Sequence, residues 1–288
     1  QQETVTGLFS KSVILPCPFP PGNNEVIYWT KEEKDVHSYY YQQDQLKSQH
    51  LDYKNRTLLF HESIPHGNAS LKLSNVTLTD EGRYHCYVGT QQSRTEVEVM
   101  LHVRVSSYYT LEYEKTDTER MLRCYAFCTY PAPHITWEQG NASIQETGQD
   151  ETRVGVLYTF RSDQNIRNPS DPYSCHIHLP HEDWTAEWRM RDQLSKARGS
   201  SIAIPCEYSS NPSHSEEFSV VWKLYRNAAV SVLASSNGTF HFYQPRVQIN
   251  QSDLSLMLKD LDVSDSGEYL CNISARHYTK LTVTTLQV

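Results

Sequence analysis

Asp80-Glu81-Gly82-Arg83-Tyr84-His85-Cys86 is the first of three related stretches in this chain of 288 residues. The other two are Asp171-Pro172-Tyr173-Ser174-Cys175 and Asp265-Ser266-Gly267-Glu268-Tyr269-Leu270-Cys271. A cysteine and then a tryptophan precede each stretch: Cys17 and Trp29, Cys124 and Trp137, Cys206 and Trp222. An inter-sheet disulfide, a tryptophan packed against it and a tyrosine two residues before the second cysteine mark the immunoglobulin sandwich. The chain is therefore predicted to be all-β, with three tandem immunoglobulin-like domains and the disulfides Cys17–Cys86, Cys124–Cys175 and Cys206–Cys271.

The spacing between paired cysteines distinguishes the three domains. It is 69 residues in the first, 51 in the second and 65 in the third. The two longer spacings leave room for the extra strands of a variable-type domain, and the shortest suits a constant-type domain. We predict a variable-like domain at 1–104, a constant-like domain at 105–190 and a variable-like domain at 191–288. Neither junction has a Gly/Ser-rich or Pro-rich linker, so the domains are expected to abut with limited freedom.

Charged side chains add a structural prediction. Arg56 and Arg246 stand where an arginine often pairs with the aspartate that opens the Tyr-x-Cys stretch. We predict the ion pairs Arg56–Asp80 and Arg246–Asp265.

Composition and glycosylation signals indicate the compartment. The net charge is −8, which argues against nucleic-acid binding because that function needs a basic surface. No apolar run approaches the roughly 20 residues of a membrane span, and no signal-type segment opens the chain, so we expect a mature secreted segment separated from its membrane anchor. Seven Asn-x-Ser/Thr sequons favour passage through the secretory pathway, where disulfides form. They are Asn55, Asn68, Asn75, Asn141, Asn237, Asn250 and Asn272.

Enzyme chemistry is not indicated. The sequence has no phosphate loop, dinucleotide fingerprint, nucleophile elbow or zinc-protease motif, so we predict no enzyme and no cofactor. His176, His178 and His181 follow Cys175 and raise the alternative of a metal site, but strand alternation turns His176 and His178 outward, and we predict no metal. Cys128 is the odd cysteine. Cys128 is an even number of residues after Cys124, so strand alternation predicts that both side chains face the same side of the sheet. This favours a small buried thiol, and an intermolecular bridge is the alternative.

Several stretches resemble the B-seven family of costimulatory ligands, relatives of the butyrophilins. In the first domain they are Asp35-Val36-His37-Ser38-Tyr39-Tyr40, Asn55-Arg56-Thr57, Gly67-Asn68-Ala69-Ser70-Leu71 and Cys86-Tyr87-Val88-Gly89-Thr90. In the third they are Ile249-Asn250-Gln251-Ser252-Asp253 and the run from Ser264 through Ser274. The second domain contributes Tyr130-Pro131, Ile135-Thr136-Trp137, Trp184-Thr185 and Trp188. The chain resembles a species variant or close paralogue of one member of that family.

The resemblance implies a function in immune regulation. It implies the extracellular part of a single-pass type I membrane protein, on the surface of antigen-presenting or epithelial cells, that tunes T-cell and natural-killer-cell responses. It further implies two receptors: transmembrane and immunoglobulin domain-containing protein 2, and a three-domain killer-cell immunoglobulin-like receptor. A cell–cell adhesion molecule that binds itself or a related immunoglobulin-superfamily protein is the alternative, and a soluble decoy is a third. Fold alone does not separate these functions.

Strand alternation predicts an outward face on the first domain. Trp29 and Cys86 must face the core, so their neighbours along each strand face out. Tyrosine gives large contact area at low entropic cost, and the family resemblance points to the same face. The predicted receptor-binding residues are Tyr28, Thr30, Tyr39, Tyr40, His85, Tyr87, Gly89 and Thr90, with at least one of Tyr39, Tyr40 and Tyr41 exposed. The alternative is that some of these tyrosines pack under loops or an adjoining domain.

The sequons predict which sheet of the first domain carries sugar. Asn55, Asn68 and Asn75 fall on or near the sheet opposite the predicted face, which leaves that face bare. In the third domain Asn272 follows the inward-facing Cys271. A glycan there is predicted to cover the equivalent face.

Overall fold

Strands form nearly all the regular structure in residues 2–207 and 217–288, which are the residues that the computed structural model describes. Short 3₁₀ helices occur at Leu51–Tyr53, His61–His66, Leu78–Asp80 and Val263–Asp265. The prediction of an all-β chain is confirmed. The chain divides into two units, Gln1–Ser106 and Ser107–Val288. Within the described ranges, no helix is both long enough and apolar enough to cross a membrane.

The first unit is a sandwich of two sheets. Its strands are β1 (Gln2–Leu8), β2 (Val13–Leu15), β3 (Val26–Lys31), β4 (Lys34–Tyr40), β5 (Gln43–Asp44), β6 (Thr57–Leu59), β7 (Leu71–Leu73), β8 (Gly82–Gly89) and β9 (Arg94–Arg104). One sheet has the order β1-β9-β8-β3-β4-β5, and the other β2-β7-β6. The pairing of β1 with β9 is parallel. Polar and apolar residues alternate along β8 and β9, so each strand buries one face against the opposite sheet.

The core of the first unit contains the predicted signature residues. Cys17 and Cys86 form a disulfide, and Trp29 is fully buried, with its indole N–H donating to the Ala69 carbonyl at 2.9 Å. The Tyr84 hydroxyl donates to the Asp80 carbonyl at 2.8 Å. The predicted ion pair between Arg56 and Asp80 is also present. These contacts satisfy the polar atoms that burial would otherwise leave without partners.

The second unit contains two further sandwiches. Its strands are β10 (Tyr108–Lys115), β11 (Arg120–Thr129), β12 (His134–Gln139), β13 (Ala142–Ile144), β14 (Gly148–Val154), β15 (Leu157–Asn165), β16 (Tyr173–His178), β17 (Asp183–Met190), β18 (Leu194–Ser195), β19 (Ile202–Ile204), β20 (Ser219–Arg226), β21 (Ala229–Ser236), β22 (Phe240–Phe242), β23 (Val247–Ile249), β24 (Leu256–Leu258), β25 (Gly267–Ser274) and β26 (Tyr278–Gln287). The disulfides Cys124–Cys175 and Cys206–Cys271 close these sandwiches. The predicted Arg246–Asp265 ion pair joins Nη2 to Oδ1 at 2.9 Å. The variable–constant–variable order and the domain boundaries stay predictions.

One sheet of ten strands runs through both sandwiches of the second unit. Its order is β13-β12-β16-β17-β26-β25-β20-β21-β22, with β18 also paired to β26. Strand β17 pairs in parallel with β26, from Thr185 opposite Tyr278 to Met190 opposite Val283. Sheet β10-β11-β15-β14 completes the sandwich that contains the Cys124–Cys175 disulfide, and sheet β19-β24-β23 completes the one that contains Cys206–Cys271. Here the last strand of one sandwich hydrogen-bonds directly to the last strand of the next.

The prediction that Cys128 is buried is wrong. Its thiol is free and exposed. The register of β11 against β15 shifts between Ala126 and Thr129, and Cys128 has a left-handed backbone with φ +54°. This bulge places the fully buried Thr129 inside and turns Cys128 outward, so simple alternation from Cys124 fails.

Candidate protein-binding face

Four tyrosines form a continuous row on the outward side of the six-stranded sheet. We call Tyr87, Tyr28, Tyr40 and Tyr41 the tyrosine row. The Tyr87 and Tyr28 rings are 6.2 Å apart, Tyr28 and Tyr40 6.1 Å, and Tyr40 and Tyr41 5.3 Å. Tyr28 pairs directly with Tyr87 across β3 and β8, which brings their side chains to the same face. The row extends from β8 to the turn after β4.

Most of the predicted binding residues lie at this face. Tyr28 is 39% exposed. Thr30, Tyr40, His85, Tyr87, Gly89 and Thr90 are partly exposed. Because β3 and β8 are in register and bury Trp29 and Cys86, the outward positions follow as alternation predicts. Their role in binding is not tested by the geometry and stays a prediction.

Tyr39 does not belong to the face, and its placement there was wrong. It is only 4% exposed, and its ring packs edge-on against His61 at 5.2 Å. The register between β3 and β4 shifts at Trp29 and Thr30, and Tyr39 pairs with the fully buried Ile27. Burial, followed by the nearby carboxylates of Glu25 and Asp44, raises the pKa of the Tyr39 phenol.

Tyr41 is the residue that alternation could not assign. It is 85% exposed and stands with Gln42 in the two-residue turn between β4 and β5. Both have positive φ, +53° for Tyr41 and +61° for Gln42, which is the arrangement that a two-residue hairpin turn favours. Asparagine or glycine is usual there, so the sequence lacked the ordinary turn signal.

A pocket opens at the end of the tyrosine row. It has a volume of about 510 Å³ and is lined by Asn24, Glu25, Val26, Tyr28, Tyr40, Tyr41 and Gln42. Glu25 is only 5% exposed, and its carboxylate accepts a hydrogen bond from the Gln42 side-chain amide at 3.1 Å. The pocket therefore combines aromatic rings with a buried carboxylate.

Carboxylates also border the row on β9. Glu96 stands opposite Tyr87 and Glu98 opposite His85, and both glutamates are exposed. The imidazole Nε2 of His85 lies 3.7 Å from the Glu96 carboxylate. The face is thus aromatic at its centre, and its β9 side carries charges of both signs, because Arg94 is exposed on the same side of that strand.

The loops beside the face are held together by hydrogen bonds. The Asn23 N–H donates to the Gln92 side-chain oxygen at 2.9 Å, and the Gln91 N–H donates to the Asn23 carbonyl at 3.0 Å. These bonds join the loop before β3 to the loop between β8 and β9. The face therefore keeps a defined edge in the unbound protein.

The sequons of the first unit lie away from this face. Asn55, Asn68 and Asn75 are exposed and flank β6 and β7, which belong to the opposite sheet. Sugar at these positions leaves the tyrosine row uncovered. Their occupancy stays a prediction, as does that of the exposed Asn141, Asn237 and Asn250.

The equivalent face of the third sandwich is covered by protein. Strand β10 lies against it, and Tyr225, Leu270, Leu281 and Val283 are buried in one hydrophobic cluster with Tyr113. The Tyr225 hydroxyl donates to the Tyr113 carbonyl at 3.1 Å. Asn272 is only partly exposed, in a cleft that β10 also lines. Strand β10 therefore covers this face, and the predicted glycan at Asn272 stays a prediction.

A buried carboxylate anchors β10 to that face. Glu268, 2% exposed, accepts hydrogen bonds from the Tyr113 hydroxyl at 2.8 Å and from Arg120 Nη2 at 2.6 Å. Lys115 Nζ lies 3.2 Å from the same carboxylate. Burial raises the pKa of Glu268, but the hydrogen bonds from Arg120 and Tyr113, with the charges of Arg120 and Lys115, outweigh it and hold that pKa below its usual value of 4.5.

The lowered pKa of Glu268 predicts acid sensitivity in the second unit. A carboxyl whose pKa is depressed by folding contributes stability that is present above its unfolded pKa and is lost as pH falls through its folded pKa. We expect the stability of residues 107–288 to fall with pH below about 4.5, and more steeply than in the Glu268→Gln protein. Denaturant titrations from pH 7 to pH 3 measure this, and parallel curves for the two proteins would contradict it.

The histidines after Cys175 have ordinary polar partners. His178 Nδ1 lies 2.9 Å from Asp183, and His176 Nδ1 lies 3.2 Å from the Thr185 hydroxyl. In the part of the chain that the structure describes, no three His, Cys, Asp or Glu side chains are grouped as a metal site requires.

Comparison with known proteins defines the class. A model of the immunoglobulin V-set domain matches residues 1–105 and 190–288, and the chain belongs to this family. Human HERV-H LTR-associating protein 2 is 39% identical over 299 residues, which cover 100% of this chain and 72% of that protein. Mouse V-set domain containing T-cell activation inhibitor 1 is 30% identical over 72% of this chain and 79% of its own length. Human ICOS ligand is 30% identical over 62% of this chain and 65% of its own length. The resemblance to the B-seven family is confirmed.

Proposed function

We propose that this chain is the extracellular part of a cell-surface ligand that binds receptors on T and natural-killer cells and modulates their activation. The names of its relatives support this class: one is a T-cell activation inhibitor and another is a ligand of ICOS. The proposed receptors are transmembrane and immunoglobulin domain-containing protein 2 and a three-domain killer-cell immunoglobulin-like receptor. We also propose that a single type I membrane anchor attaches this extracellular part to the cell surface.

The proposed docking site is supported by a contrast between equivalent faces of the first and third sandwiches. The tyrosine row of the first sandwich is open, whereas strand β10 covers the matching face of the third. Aromatic residues are enriched at the energetic centres of protein interfaces, and a bare sheet with its loops suffices for a standard interface of roughly 1,600 Å² in total. The receptor is therefore proposed to dock on the tyrosine row.

Surface-binding assays test the function. Tagged protein is applied to cells that display each proposed receptor, and to cells that display this chain itself. We expect saturable binding to at least one receptor. Binding to neither receptor, together with self-association, would instead support the adhesion molecule.

Alanine replacement tests the face. Tyr28→Ala or Tyr87→Ala is expected to cost about 1–3 kcal/mol of receptor affinity if each acts as an interface hot spot, because each substitution removes a partly exposed ring from the row. Ile14→Ala is the matched control, since Ile14 is exposed on β2 in the opposite sheet. Surface plasmon resonance gives the affinities, and thermal melts verify folding. If both tyrosine variants bind normally while substitutions in residues 107–288 weaken binding, the docking site lies elsewhere.

A further inference from the structure

We propose that the pocket beside the tyrosine row receives a lysine or arginine side chain of the receptor, with Glu25 as its counter-ion. This inference rests on the proposed docking of a receptor on the first sandwich and adds the chemistry of one contact. The pocket is the one that contains Glu25, Tyr28, Tyr40 and Tyr41. Glu25 is the one charged residue in its lining.

Glu25 differs from the other buried carboxylates in its partners. Within residues 2–207 and 217–288 the buried acids are Glu25, Asp80, Asp163, Asp265 and Glu268. The last four each form an ion pair with an arginine or lysine: Arg56, Arg161, Arg246, and Arg120 with Lys115. Glu25 forms none in those residues, and the Gln42 amide is its hydrogen-bond donor. A carboxylate removed from water without a cation is costly, so this side chain is one that a cation from outside would stabilise.

The rings around Glu25 suit the same ligand. Tyr28, Tyr40 and Tyr41 present aromatic surface, and a cation near the face of such a ring is attracted by the ring electrons. The aliphatic stem of a lysine or arginine packs on apolar surface while its charged end reaches a polar partner. Val26 and the tyrosine rings supply the apolar wall, and a volume of about 510 Å³ is ample for one side chain. Neutral or acidic ligands would leave the Glu25 carboxylate without a counter-charge.

The backbone at the rim is held in an uncommon conformation. Tyr41 and Gln42 both occupy the left-handed region, which costs non-glycine residues free energy and persists where surrounding structure requires it. This turn keeps the Tyr41 ring exposed and places the Gln42 amide on Glu25. The wall of the pocket is therefore formed before binding.

The test compares Glu25→Gln with Glu96→Gln, a matched change at an exposed carboxylate on the same face. Affinity is measured by surface plasmon resonance against the receptor ectodomain that binds the intact protein. Glu25→Gln should weaken binding tenfold or more, and Glu96→Gln by less than about threefold. A receptor variant that lacks the inserted lysine or arginine should bind the Glu25→Gln protein no worse than it binds the unaltered one.

Thermal stability separates this role from a structural one. If Glu25 awaits a cation, Glu25→Gln should leave the melting temperature of the unbound protein unchanged or raise it, because a buried charge is removed. A lower melting temperature would identify Glu25 as a structural residue and overturn the inference. Normal binding by Glu25→Gln, with Tyr87→Ala still weakened, would overturn the inference and leave the docking face intact. Normal binding by both variants would overturn the face and the inference together.

Discussion

Replacing Glu268 with glutamine is expected to lower the free energy of unfolding of residues 107–288 by about 3 kcal/mol. The carboxylate is buried and is bonded to Arg120, Tyr113 and Lys115. Breaking a buried ion pair by removing one partner costs roughly 3–5 kcal/mol. Arg120 and Lys115 are each about one-third exposed, at 32% and 33%, so water recovers part of their hydration, and the lower end of that range is expected.

The loss should appear first where β10 meets the third sandwich. Hydrogen exchange followed by mass spectrometry should show faster exchange in Tyr108–Lys115 and Gly267–Ser274 in the Glu268→Gln protein. Glu114→Gln is the matched control, because Glu114 lies on β10 itself, is 56% exposed and pairs with Arg123 at 3.2 Å. That exposed pair is worth at most about 1 kcal/mol. Equal destabilisation by the two substitutions would show that Glu268 does not anchor β10.

Local sequence patterns predicted the parts of the fold that depend on local geometry. The signature residues around Trp29 and Cys86 follow from spacing, because a disulfide and its tryptophan constrain facing strands. The outward positions of Tyr28 and Tyr87 follow from the period of two along regular strands. Arg56 and Arg246 pair with the expected aspartates for the same reason.

The errors arose where a strand breaks its register. A bulge near Cys128 and another register shift between β3 and β4 reverse the side of the sheet that later residues face. One extra residue therefore exposed Cys128 and buried Tyr39. Neither stretch contains a glycine that would have marked the irregularity.

The covered face of the third sandwich could not be predicted from local pattern. It depends on pairing between β17 and β26 and on Tyr113 reaching Glu268, which are 155 residues apart in the chain. Glu268 itself lies inside the stretch Asp265–Cys271, and that motif assigns no partner to it. Contacts between residues so far apart in the chain leave no periodic pattern in the sequence. The same holds for Glu25, whose hydrogen-bond donor Gln42 lies in the turn between β4 and β5.

Removing the first disulfide is the second large expected effect. The double variant Cys17→Ala/Cys86→Ala should lower the stability of the first unit by about 4 kcal/mol, the chain-entropy value for a loop of 69 residues. Native proteins have free energies of unfolding of only about 5–15 kcal/mol, so a loss of this size removes a large fraction of the stability. Partial unfolding at 37 °C and loss of receptor binding are therefore expected. The double substitution avoids leaving one reactive thiol in the core.

The effect should be confined to the first unit, because the hydrophobic cluster around Cys17 and Cys86 and the side chains packed against it all lie between Val5 and Val103. Differential scanning calorimetry should therefore show one transition at lower temperature and the transition of residues 107–288 unchanged. Cys128→Ser serves as the control, since its thiol is exposed and unpaired, and it should change stability by no more than about 0.5 kcal/mol. A uniform shift of the whole unfolding profile in the double variant would mean that the first unit does not unfold by itself.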